Sequence, residues 1–181
     1  MAPLSHLVGG ICDHPDLRYC RMGLGSDAPV IEAPDVKSGY PEEVAFNAAC
    51  TGRYLICNPR YTAPEILDFD MELVDVAQGY AKCSIVIVDE NSIITYDDGI
   101  ARKARAHGLD VLTVSPGHVH LDGYKTGFIG GASGRVNDQI VFNGDLTAHP
   151  DYERIKDFIE SRGLRCIWFE GWPLTDIGSI V

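Results

Sequence analysis

Apolar positions come in short bursts along this chain, separated by turn residues, and the bursts repeat in a fixed order. Ile85–Asp89 and Ser92–Tyr96 read as strands joined by the Glu90-Asn91 turn. Asp97 and Asp98 open a short helix that stops at Gly108, and Asp110–Val114 reads as the next strand. The same order follows with Gly127–Ala132 and Gln139–Asn143 as strands, Tyr152–Arg162 as a helix and Arg165–Phe169 as a strand. In that helix Tyr152, Ile155, Phe158 and Ile159 share one face. An earlier copy has strands at Val44–Ala49 and Tyr54–Asn58, a capping box at Thr62–Glu65 and a strand at Glu72–Val76. Asp16–Arg21 and Pro29–Glu32 fit two strands of a first copy. Asp176–Val181 fits the opening strand of one more.

Repetition of β-β-α-β at this spacing predicts an α/β fold in which units pack around a common centre. One unit appears only as its opening strand, which would pair with the N-terminal segment to close a ring. The expected architecture is therefore a ring-like α/β propeller in one domain spanning 1–181, with one blade incomplete.

Composition narrows the function classes. The chain has 181 residues, 45% of them apolar, enough for a real core. No apolar run reaches the ~18 residues of a membrane span, and Met1–Gly10 lacks the pattern of a signal peptide, so a cytoplasmic location without membrane association is expected. The net charge of −11 would repel phosphate backbones, which argues against nucleic acid. The same field favours a small cationic ligand, although solubility accounts for the larger share of the charge. Of the six cysteines, none shows CxxC spacing, and Cys50, Cys57 and Cys166 sit in apolar runs as small hydrophobes. Trp168 reads as core, and Trp172 as a residue of a site mouth or an oligomer contact.

Cys83 stands apart. It follows Gly79-Tyr80-Ala81-Lys82 and precedes an apolar strand, in which alternation would turn Lys82 to the opposite face. It reads either as a packed thiol opening a strand or, paired with His14 of His14-Pro15-Asp16, as a nucleophile with an acid/base partner. The His-Pro-Asp triplet also fits a plain turn. Gly130-Gly131-Ala132-Ser133 fits either an anion-holding nest or a strand whose glycines let backbones meet. Cys12, His14, Asp16, Cys20, His118 and His120 have no closed metal-site spacing, so neither metal nor cofactor is expected.

These pieces resemble the pentein fold of the guanidino-group-modifying enzymes. The resemblance rests on His14-Pro15-Asp16, Gly79–Ser84, Asp89–Thr95, Gly127–Arg135 and Asp176–Ser179, and it is closer to an uncharacterised family of unknown function assigned to that fold. It implies a five-bladed ring with its site on the axis. Cys83, His14 and Asp16 would be catalytic. Asp176, Gly130, Gly131, Ser133 and Asn47 would contact substrate. The implied activity is deiminase-like hydrolysis or amidino transfer on a small guanidino or amidino cation. A catalytically inactive binding or assembly module of the same fold is the alternative. An incomplete blade would leave an edge exposed, so self-association, or cover by Met1–Gly10, is expected.

Overall fold

A computed structural model of the chain describes residues 11, 14–37 and 39–181. It is a mixed α/β structure of small sheets and short helices. A 3₁₀ turn at Pro15–Leu17 leads into β1 (Tyr19–Arg21), which pairs antiparallel with β2 (Val30–Glu32). β3 (Ala49–Cys50) pairs antiparallel with β4 (Tyr54–Cys57); after α1 (Pro64–Leu67), β5 (Glu72–Asp75) returns parallel to β4. The third sheet repeats this plan. α2 (Ala81–Ser84) precedes β6 (Ile85–Asp89) and β7 (Ser92–Thr95), and α3 (Asp98–Ala106) carries the chain to β8 (Asp110–Thr113), parallel to β7. The fourth has β9 (Ser133–Val136), β10 (Gln139–Phe142), α4 (Tyr152–Glu160) and β11 (Arg165–Ile167), with β11 parallel to β10.

The long helices form for the reasons their sequence suggests. The Asp97 carboxylate accepts the Ile100 N–H at 2.9 Å and caps α3. Ile100, Ala101 and Ala104 are its buried face. Gly108 and Gly163, at φ of 91° and 72°, end the two long helices in the left-handed conformation that glycine adopts without strain.

The core lies between successive units. Ile56, Val74, Ile85, Ile93 and Ile100 form one cluster, which seats α3 between the second and third sheets. Val86, Ile94, Ile140, Phe142, Ile155 and Ile159 form another, which seats α4 between the third and fourth. Each such side chain contributes about 1.5–3 kcal/mol on burial, so neighbouring sheets depend on one another for their cores. The first strands of the units also meet in series: β1 packs on β3, β3 on β6 and β6 on β9.

Five local expectations are corrected, and three of them fall just before a unit's first strand. Val44–Ala49 is not a strand. Glu42–Val44 is a 3₁₀ turn, the Asn47 N–H bonds back to Val44 O, and only Ala49–Cys50 pairs. Gly127–Ala132 is likewise a loop and turn, with the strand beginning at Ser133. Cys83 sits on α2 and not in the strand that follows it. The fourth correction is Asp176–Val181, which forms no strand. Gly178 and Ser179 take φ of 75° and 70°, which extended pairing forbids. That segment is instead held by backbone bonds to two distant parts of the chain. Ile177 and Ser179 N–H both bond Gly131 O, Ile180 N–H bonds Ser133 O, and Gly178 O accepts from Asp16 N–H at 3.0 Å.

Thr62–Glu65 is no capping box either. Thr62 Oγ1 donates to Asn58 O, and α1 starts after an uncapped Ala63, with Pro64 removing one N–H that would need a partner. Trp168 is half-buried against Tyr152, whereas Trp172 is exposed and stacked on Phe169. Met1–Gly10, expected to cover an edge, lies outside the described residues. Among the described residues no helix is long and apolar enough to cross a membrane.

Candidate functional site

The turns that precede the strands carry the chemistry. α2 is a single helical turn, too short to persist by propensity alone. Asn47, from the turn before β3, holds it. Its Oδ1 accepts the N–H groups of Lys82 at 2.8 Å and Cys83 at 3.2 Å, which caps the helix from outside. Its Nδ2 faces Cys83 Sγ at 3.2 Å and Asp16 O at 3.3 Å. Asn47, expected at the substrate, is buried.

Cys83 Sγ donates to Asp16 Oδ2 at 2.9 Å. The same oxygen accepts from Ser179 Oγ at 2.9 Å, and Ser179 Oγ lies 2.9 Å from Lys82 Nζ. Asp16 is fully buried, and its Oδ1 has no hydrogen-bond partner among the described residues. Burial, then the charges of Asp16 and Asp176, hold the Cys83 thiol well above its ordinary pKa. Burial lowers the pKa of the Lys82 ammonium, with Asp16 opposing that shift. Asp16 thus addresses the sulfur directly.

The carboxylate nearest His14 is Asp176, with Nδ1 to Oδ1 at 3.8 Å. Asp176 also accepts the N–H groups of Phe128 at 2.9 Å and Gly178 at 3.0 Å. Burial raises its pKa, the two N–H bonds lower it and Asp16 raises it again. His14 is pressed against the C-terminal segment: a Cβ on Gly178 would come 2.3 Å from His14 Cβ.

His14, Cys83 and Asp176 line one cavity of about 220 Å³. Its walls are Ile11, Leu17, Tyr80, Leu121, Tyr124, Thr126 and Phe128. Tyr80 and Phe128 have ring centroids 5.7 Å apart, and Tyr80 stacks on Tyr40 at 5.9 Å. The Tyr80 hydroxyl bonds Glu43, and burial followed by that carboxylate raises its pKa. Gly79 is required here, because a Cβ would lie 2.7 Å from the Tyr40 ring.

Asp16, Asn47, Gly130, Gly131 and Ser133 do not line the cavity. The two glycines serve close backbone approach. A Cβ on Gly130 would meet Ile85 O at 2.4 Å, and one on Gly131 would meet Asp176 Oδ1 at 2.0 Å. Ser133 is buried with its hydroxyl on Gly130 O at 3.3 Å. Lys82 lines a different cleft from Cys83. Among the described residues no group of three or more His, Cys, Asp or Glu is placed to hold a metal. Sequence reasoning missed Ser179 and the aromatic walls, although Tyr80, Phe128 and Ser179 lie inside the segments it singled out.

The chain belongs to a family of unknown function (DUF6873), which matches residues 24–181. The matched span contains Asn47, Cys83 and Asp176 but begins after His14 and Asp16. No curated protein and no solved structure matches the chain.

Proposed function

We propose that the units form a pentein-like ring and that the cavity at Cys83 performs carbon–nitrogen chemistry on a small guanidinium or amidinium compound. Contacts run from β1 to β3, β6 and β9, then through Ile180 to Ser133, and back from Gly178 to Asp16. That circuit supports a ring closed by the C-terminal segment in place of a full unit. The observation that carries the functional reading is that Cys83, His14 and Asp176 face one cavity.

Aromatic faces and a carboxylate recognise a cation together. No Lys or Arg lines the cavity, and residues 1–13 contain neither. The site therefore favours a cation with an apolar arm over one ending in a carboxylate. Cys83 gives its proton to His14 and attacks the amidino carbon. The C–N bond breaks, and the amine leaves with the proton from His14. Water, or an acceptor amine, then adds to the carbon, gives its proton to His14 and expels the sulfur, giving a ureido product from a guanidinium, an amide from an amidinium, or a transferred amidino group. A bound cation would also offset the two carboxylates that keep the thiol protonated.

One observation favours the alternative, a catalytically silent binding or assembly module: the thiol is committed to Asp16. Turnover separates the two. Incubation with n-butylguanidine, benzamidine and arginine, followed by mass spectrometry, should show consumption of a carboxylate-free compound and none with Cys83→Ala. Binding without consumption, equal in both proteins, would support the module.

A further inference from the structure

Three sulfur atoms converge where β1 packs on β3. Cys20 Sγ lies 3.7 Å from Cys50 Sγ, and Cys50 Sγ lies 3.7 Å from Met22 Sδ. All three side chains are buried. Burial alone is what a free cysteine or a methionine shows as a packed hydrophobe. Their convergence from two separate sheets is the further observation. Metal–sulfur bonds of about 2.3 Å set two ligand sulfurs about 3.8 Å apart at a tetrahedral angle and about 4.0 Å apart at a trigonal one. Both separations are close to the edges of such a site, so an ion enters with little movement of its ligands.

The backbone holds the sulfurs there. Cys20 pairs with Ile31 in the β1–β2 ladder, and the Met22 N–H donates to Pro29 O at 2.8 Å just beyond it. Two positions apart on an extended segment, the two side chains leave by the same face, and both reach Cys50. Cys50 meets them from β3, where it pairs with Leu55. Local spacing gives no sign of this group, because Cys50 follows Cys20 by 30 residues and Met22 by 28. Cys20 and Cys50 also line a cleft of about 40 Å³ between β1, α2 and β9, which gives a small ion a way in. No His, Asp or Glu lines that cleft, and it shares no lining residue with the Cys83 cavity.

We infer that Cys20, Cys50 and Met22 bind a soft monovalent cation, copper(I). Two thiolates and a thioether form an all-sulfur set, which suits copper(I), whereas structural zinc takes four ligands from Cys, His or carboxylate. Binding exchanges the two thiol protons, which pass to the buffer, for one Cu⁺, so the filled site carries one net negative charge. Arg21 and Arg135, which line the same cleft, offset that charge. The site is independent of the proposed chemistry at Cys83 and stands or falls separately.

The test uses the whole chain, reduced and free of oxygen, with copper(I) added as its acetonitrile complex in competition with the chelator bicinchoninate. The protein should withhold one ion per chain from the chelator. X-ray absorption should show sulfur neighbours only, at about 2.3 Å. Cys50→Ala should weaken binding by about a hundredfold or more, because its sulfur touches both of the others. Met22→Leu keeps the volume and removes only the thioether; it should weaken binding by about tenfold and serves if Cys50→Ala does not fold. Cys166→Ala, in the fourth sheet, should leave binding unchanged. Failure to withhold copper, oxygen or nitrogen neighbours at the ion, wild-type affinity in a folded Cys50→Ala or Met22→Leu protein, or loss of the ion with Cys83→Ala instead overturns the assignment.

Discussion

Asn47 concentrates four contacts of the site in one side chain, reaching Lys82 N–H, Cys83 N–H, Cys83 Sγ and Asp16 O. Asn47→Ala strips the cap from α2 and leaves buried donors unpaired, which should cost about 2–3 kcal/mol in urea unfolding. An unchanged midpoint would contradict that placement. The thiols give a pH prediction. Burial raises the pKa of Cys57, Cys83 and Cys166, the last to about 12, and the Cys20 contact followed by burial raises Cys50. Unfolded thiols titrate near about 8.5. Above that pH the unfolded chain releases protons that the folded chain keeps, so stability present below it is lost as pH rises toward the folded values. Each thiol contributes up to about 1.4 kcal/mol per pH unit in that window. The urea midpoint should fall between pH 7.5 and 9.5, and a flat profile would count against buried, protonated thiols. Cys83 and His14, singled out from the Gly79–Cys83 loop and the His-Pro-Asp triplet, line one cavity. The link from Asp16 to the sulfur was not legible, because it depends on α2 replacing the start of a strand.

Among the elements, the sheets and the two long helices follow directly from periodicity and caps, whereas the turns ahead of β3 and β9 do not. Val44–Ala49 and Gly127–Ala132 are apolar enough to pass for strands. What bends them is tertiary: Asn47 must reach α2, and Gly130 must fit beneath the carbonyls of Lys82, Cys83 and Ile85. Gly130→Ala would place a Cβ 2.4–2.5 Å from those backbone oxygens. Neither partner is a flexible side chain, so the substitution should cost about 3 kcal/mol or fail to fold. Asp97→Ala, which removes only the α3 cap, should cost about 1 kcal/mol by the same assay. A reversal of that order would mean that the backbone approach at Gly130 is not tight.

At the scale of the whole molecule, the repeated β-β-α-β order was readable, but the path of the C-terminal segment was not. Gly178 and Ser179 adopt left-handed conformations that no periodicity signals, and they carry Asp176 to His14 and Ser179 to Asp16. Removing residues 176–181 should therefore abolish a single cooperative unfolding transition, since Gly131, Ser133 and Asp16 lose backbone partners together. Phe169 and Trp172 remain exposed and stacked, and light scattering of the wild type against Trp172→Ala tests the self-association expected from sequence. The central claim, that Cys83 is a nucleophile in a cation-selective cavity with His14, is tested most directly by covalent labelling. Chloroacetamidine and iodoacetamide react with thiols by the same displacement, but only the first carries an amidinium. The account predicts that chloroacetamidine modifies Cys83 faster relative to iodoacetamide than it modifies a free thiol, and that His14→Ala loses this preference. Equal selectivity at Cys83 and in solution, or preference unaffected by His14→Ala, would contradict it.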